Sequence, residues 1–251
     1  MLLNDMTTWS EEVLDYLQRH QDIFLRHELA PKSWDWNPNA EKIAREYDDA
    51  VIGLRKVLNR YTLEGGYHCT RLTEREIDCI RLNGFQLPNR DMLHSHIQAI
   101  LEDGLIEPEI AERLRLENLA DERNRANIIW FFFFPPHVEF GIEEFFRFWG
   151  GERLYRSHQH DPLTGPILKR IGTPCLIETD VSMASLRCGF LETKVARQFL
   201  VNHGFDITEP VRYQGSAIHP IPALNVRRVI QFPEPDFLRL TGCLDWKSPL
   251  T

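Results

Sequence analysis

Tyr67-His68-Cys69-Thr70-Arg71-Leu72-Thr73-Glu74-Arg75-Glu76-Ile77-Asp78-Cys79-Ile80-Arg81-Leu82-Asn83-Gly84-Phe85-Gln86-Leu87-Pro88 is the stretch that decides how the chain is read. Gly65-Gly66 gives a turn signal, and Tyr67 to Leu72 then reads as a short strand. Thr73 is a good N-cap residue with Glu76 three positions later, a capping box that starts a helix. That helix carries Ile77 and Ile80 and closes at Gly84, where a residue without a Cβ suits a C-terminal cap. The stretch therefore predicts strand, tight turn, helix and an extended exit through Phe85 to Pro88.

Upstream, Ser10 followed by Glu11 and Glu12, with Val13, Leu14, Leu17 and Phe24 near helical spacing, predicts one helix from Ser10 to Leu29, ended by Pro31. Ser33 to Pro38 reads as a loop, and Ala40 to Tyr61 as a second helix. Downstream, Arg90 to Leu101 and Glu107 to Arg123 predict two more helices. The run Ile128 to Phe134, bounded by Asn127 and Pro135-Pro136, suits a fully buried strand at the centre of a sheet. Val138 to Trp149 reads as helix and Glu152 to Arg156, after Gly150-Gly151, as a strand. Cys175 to Val181 and Arg227 to Phe232 read as strands, and Glu192 to His203 as a helix stopped by Gly204. No internal repeat or low-complexity tract interrupts this α+β pattern.

A chain of 251 residues, 43% hydrophobic and 26% charged, is long enough to bury a sizeable core. Cys69, Cys79, Cys175, Cys188 and Cys243 are odd in number and scattered, so neither a disulfide framework nor a zinc ribbon is indicated. Met1 to Asp5 shows no basic leader, and no apolar run approaches the ~18 residues that span a bilayer, so the expected compartment is the cytoplasm. A net charge of −8 disfavours broad attraction to phosphate backbones or anionic membranes. A local basic groove would have to come from Arg113, Arg115, Arg123 and Arg125, or from Arg227 and Arg228; charges at such spacing more commonly form a solvated face.

The form Y-H-x-T, turn, helix, then N-G-F-x-L-P over Tyr67 to Pro88 resembles the opening of the ADP-ribosyltransferase superfamily. The resemblance implies a split, mixed β-sheet core over residues 63–251, with an N-terminal helical extension over 1–62 and a helical insertion at about 90–125. It implies NAD as substrate, held at its adenosine-side ribose by His68 with Thr70 and Arg71 beside it. Tyr155 falls in the slot of the aromatic residue that stacks on nicotinamide from a later core strand. The late-strand glutamate of the superfamily has no clear counterpart: Glu178, Glu152 and Glu209 are the candidates, in that order, and Gln214 stands in the late segment itself. A carboxylate suits the task because it stabilises positive charge at the anomeric carbon and takes a proton from the nucleophile. Such enzymes are often toxins or defence effectors held by an inhibitory partner, acting on a protein, RNA or DNA acceptor. Strand alternation gives the layout a physical basis, since His68 and Thr70 share one face while Cys69 takes the other.

Two other readings stand beside this one. The missing late glutamate leaves room for a binding module without catalysis. His158-Gln159-His160, if extended, would offer two metal ligands, but no third is visible nearby, so no metal is assigned. His94-Ser95-His96, on a predicted helix, diverges by ~200° and reads as surface. No G-x-S-x-G elbow, P-loop or G-x-G-x-x-G follows a strand.

Overall fold

The first helix, α1 (Glu11–Arg19), is capped by Ser10, whose hydroxyl accepts from the Val13 amide at 3.3 Å. The single helix expected over Ser10 to Leu29 is two: His20 sits at φ −108°, ψ 10° and separates α1 from α2 (Gln21–Leu29). Its amide donates to the end of α1, to Tyr16 and Leu17, while its carbonyl accepts from Ile23 and Phe24 at the start of α2. The third helix, α3 (Pro38–Leu58), follows. The computed structural model describes residues 1–30, 38–138, 141–187, 190–207, 213–248 and 250, so most of the loop expected over Ser33 to Pro38 lies outside the described residues.

The quoted stretch folds as read. The strand β1 (Thr62–Leu72) begins earlier than expected, with an irregularity between Leu63 and Gly66 at the glycine pair. Helix α4 (Glu74–Asn83) has the full capping box, Thr73 accepting from Glu76 and Glu76 reaching back to the Thr73 amide. Gly84 closes it at φ 72°, and a Cβ there would lie 2.0 Å from the Ile221 carbonyl oxygen, because Phe85 and Ile221 bond to each other through their backbones. After α5 (Arg90–Glu102) and a shorter α6 (Pro108–Leu116) comes β2 (Ile129–Phe132). Then follow α7 (Glu143–Arg147), α8 (Glu152–His158), α9 (Thr164–Arg170), β3 (Thr173–Ser182) and β4 (Leu186–Arg187). The chain ends with α10 (Leu191–Asn202), β5 (Gln214–Ala217), β6 (Val226–Gln231) and α11 (Pro235–Thr241).

Six strands among the described residues form one sheet in the order β4-β5-β2-β1-β3-β6. Every pairing is antiparallel, which corrects the expected mixed sheet. The sheet does part in one place: β1 runs alongside β3 over most of its length, yet it shares with β2 the single register pair Tyr67↔Phe132. One register row crosses five strands on one face, Gln214, Phe132, Tyr67, Glu178 and Arg228. The strand expected over Glu152 to Arg156 is instead the helix α8. Gly150 and Gly151, both at positive φ, turn the chain into it, and Leu154, Tyr155 and His158 are buried on one side at helical spacing. Nor is β2 buried on both faces, because Trp130 alternates outward and is 45% exposed.

Three cores hold these layers. α1 to α3 and α10 pack Val13, Leu17, Phe24, Leu54 and Phe199 onto the sheet face that carries Phe131, Phe133 and Ile177. The opposite face buries Cys69, Leu176 and Ile230 under Phe146 and Phe237. A third core gathers α5, α6, α8 and α9 around Ile97, Leu114, Trp149, Leu154 and Leu168. No helix among the described residues is long and apolar enough to cross a membrane.

Candidate functional site

A cavity of about 620 Å³ opens between the sheet and α7–α8, walled by Phe132, Phe145 and Tyr155 and by the polar side chains of Glu144, Glu152, Arg156 and Gln214. It brings together two residues singled out in the sequence, Glu152 and Tyr155, with Gln214 of β5 across from them. Tyr155 lies in the third core with its ring 5.8 Å from Phe148 at an interplanar angle of 27°, and edge-on to Phe145. Burial, and then the Glu152 charge, raise its pKa, so its hydroxyl keeps the proton and donates to Glu152 Oε1 at 3.4 Å. Tyr155 is thus a packed helix residue at the cavity wall and not an aromatic group on a strand. Glu152 accepts from Arg156 at 2.9 Å and meets Arg125 at 3.5 Å.

His68 stands on the other face. Register places it with Phe131, and its ring meets Phe85 edge-on at 5.3 Å and Phe131 at 5.9 Å. Its Nδ1 is 2.9 Å from the Trp130 carbonyl oxygen. A carbonyl only accepts, so Nδ1 carries the hydrogen and Nε2 is the acceptor. Desolvation pushes the imidazole pKa down to about 4, against the Trp130 hydrogen bond and with the help of the Arg153 charge. Among the described residues its Nε2 has no hydrogen-bond partner. The resemblance implies that His68 and Tyr155 hold one NAD together; the structure places them on opposite sides of the sheet, His68 with Phe131 and Tyr155 with Phe132 in the cavity wall.

Thr70 shares the His68 face and is buried. Arg71 points the other way and is a structural clamp, donating to the carbonyls of Ile171 at 2.7 Å and Phe146 at 3.2 Å, so the place beside His68 assigned to it is also corrected. Glu178 lies on β3 as expected, but it pairs with Arg228 at 2.6 Å in the register row and does not line the cavity. Glu209 lies outside the described residues.

A polar hub at the start of α4 extends well beyond its capping box. The Glu76 carboxylate accepts from Thr73 N and Oγ1 and from Trp149 Nε1 at 2.8 to 2.9 Å, and meets His96 Nδ1 at 2.8 Å. Burial opposes its charge, yet these partners, His96 first, hold its pKa below the usual carboxylate range. His96 is consequently no surface bystander, and the Nε2 of His94 is buried without a partner among the described residues. The capping box announced Glu76; nothing local announced Trp149 or His96.

Of the two histidines considered for metal, His158 is otherwise engaged. His158 ends α8 fully buried, with Nδ1 3.0 Å from Thr164 Oγ1 and Nε2 2.7 Å from the Glu117 carbonyl oxygen. The arginines considered for a basic groove are largely neutralised: Arg113 by Glu117 and Asp161, Arg115 by Glu112, Arg125 by Glu122 and Glu152, Arg227 by Glu64 and Asp180. No family model matches the chain, and no curated protein or solved structure gives a significant match.

Proposed function

We propose that the chain is an NAD-dependent ADP-ribosyltransferase whose reacting centre is the cavity walled by Glu152 and Tyr155. The observation that carries this is the union, in one cavity, of three aromatic side chains with the Glu152 carboxylate and the Gln214 amide. Nicotinamide in NAD is a flat pyridinium cation, and aromatic faces with a nearby carboxylate favour such a ring. In the reaction the bond between nicotinamide and the ribose anomeric carbon breaks, and nicotinamide leaves with the electron pair. The acceptor nucleophile then bonds to that carbon and gives its proton to Glu152. Held in place by Arg156 and Arg125, Glu152 meets the developing cation without reorganising. Its position on the cavity wall puts it ahead of Glu178 for this role.

His68, on the opposite face of the sheet, takes no part in this cavity. The acceptor is macromolecular. The paired state of most of the candidate groove arginines favours a protein over RNA or DNA. Nicotinamide release from NAD, with fractionated protein, RNA and DNA as acceptors, tests the proposal. Release that falls in Glu152→Gln is expected; no release with any acceptor sinks it.

A second reading, a module that binds NAD without turning it over, is favoured by the two arginines that already neutralise Glu152. Under it, NAD raises the melting temperature of the protein and remains intact.

A further inference from the structure

Trp130 is the residue of β2 that turns outward, and it is 45% exposed. It shares its sheet face with Phe132, two positions on, which forms part of the cavity wall. The indole is held in place, its Nε1 donating to the Asn124 carbonyl oxygen at 3.1 Å. Arg125, the next residue after Asn124, meets the cavity-wall residue Glu152 at 3.5 Å. Trp130 thus adjoins the cavity twice, along its own strand and through two consecutive residues of the preceding loop. Among the described residues no other ring and no cation stacks on it. An indole fixed at one edge and bare on its face is a ready platform for a flat partner.

The register carries this row across the sheet. Trp130 pairs with Ser216 of β5, and Ser216 pairs with Arg187 of β4, so the three side chains share one face and the middle one is short. Two strand spacings, about 10 Å, separate the outer two at the backbone, a gap that an arginine side chain helps to close. Arg187 is exposed, and among the described residues its guanidinium has neither an ion pair nor a hydrogen bond. Arg113, Arg227 and Arg228, by contrast, each meet two carboxylates. In a chain of net charge −8, an arginine left without a carboxylate beside a bare indole complements an anion carried on a flat ring.

We propose that Trp130 and Arg187 form a subsite for a purine nucleotide, with the base on the indole and the phosphate at the guanidinium. Every base offers a π-face to an aromatic side chain, and a purine offers the larger one. A guanidinium presents parallel N–H donors that match phosphate oxygens two at a time. Adenosine 5′-phosphate (AMP) combines both features in one small ligand. Because the platform continues through Phe132 and Gln214 into the cavity, a nucleotide seated on it directs any second group towards Glu152. That this second group is the nicotinamide half of NAD rests on the transferase reading; the purine nucleotide subsite does not.

AMP is the probe, titrated into the full chain and into Trp130→Ala, Trp130→Phe and Arg187→Gln, with the melting temperature of each recorded to establish folding. AMP binds the wild type, Trp130→Ala and Arg187→Gln each weaken it at least about tenfold, and Trp130→Phe stays within about threefold. Adenosine loses affinity in Trp130→Ala and not in Arg187→Gln, and ribose 5-phosphate shows the opposite pattern. Failure of the wild type to bind AMP, or equal binding by the wild type and either folded variant, Trp130→Ala or Arg187→Gln, overturns the subsite. If Trp130→Ala unfolds, Arg187→Gln decides, since that side chain holds no partner in the fold. AMP binding that depends on both residues, without nicotinamide release from NAD, keeps the subsite and removes the transferase. Nicotinamide release whose KM for NAD is unchanged in Arg187→Gln does the reverse.

Discussion

The Nδ1 of His68 lies 2.9 Å from the carbonyl oxygen of Trp130, so an imidazole bridges two neighbouring strands whose ladder holds a single register pair. The bond supplies a partner to a carbonyl beside the gap, and it costs the imidazole its solvation. Protonation would retain the Nδ1 donor while charging a ring packed against Phe85 and Phe131.

Stability should therefore fall in acid through His68. Its folded pKa is depressed from 6.5 to about 4, so between those values the unfolded chain binds more protons than the folded one. The contribution is fully present above about pH 6.5 and is lost progressively as the pH drops towards 4, amounting to at most about 3 kcal/mol. Melting temperature measured from pH 7 to pH 4 should decline less steeply in His68→Asn, whose amide can donate to the Trp130 carbonyl but does not titrate in this range. Parallel curves would show that other groups govern the acid limb.

Glu76 is expected to behave as a keystone of α4 and the third core. Removing its carboxylate in Glu76→Ala leaves the Trp149 indole and His96 without their partner and uncaps the helix, a loss of about 3 kcal/mol. Glu76→Gln keeps part of the network and should cost about half as much. Because its folded pKa is lowered, its share of stability is present above the ordinary carboxylate range and disappears as the pH falls below it. Urea titrations at neutral pH, compared with titrations below pH 4, check both the size and the window.

What the sequence disclosed and what it concealed divide by the range of the interaction. Thr73, Glu76 and Gly84 encode α4 within a dozen residues, so the strand-turn-helix at β1 was legible, and the alternation of His68 and Cys69 gave their faces. The five residues from Glu152 to Arg156 are too few to show a period, and the glycine pair before them signals a new element without saying which. The packing of Leu154 and Tyr155 against Phe148 and Leu168 decides for helix. The continuous run at β2 concealed that Trp130 faces outward, because hydrophobicity does not distinguish a wall residue from a core residue. Strand order and the Glu76 network depend on contacts between distant segments, and no local pattern reports them.

Gly84 should tolerate no side chain. At φ 72° an L-residue is strained, and a Cβ would stand 2.0 Å from the Ile221 oxygen and 2.6 Å from the Ala223 nitrogen, both backbone atoms that cannot swing aside. Gly84→Ala is expected to cost more than about 3 kcal/mol. Gly104, also at positive φ but with open space around its Cβ direction, provides the control, and Gly104→Ala should cost about 1 kcal/mol. Comparable melting temperatures for the two variants would mean that the Phe85–Ile221 bridge yields.

The two carboxylates ranked in the sequence can be separated by what each loses. Glu178 is held by Arg228, itself 46% exposed, so Glu178→Gln should cost at most about 1 kcal/mol of stability and leave nicotinamide release within about twofold. Glu152 stands on the cavity wall beside Tyr155, and Glu152→Gln should lower kcat for release by about a hundredfold or more while the protein melts near the wild-type temperature. Tyr155→Phe should retain most of the rate, because the ring forms the wall and the hydroxyl makes only a 3.4 Å contact to Glu152. A large loss in Glu178→Gln with none in Glu152→Gln would move the reacting centre from the cavity to the outer half of the register row.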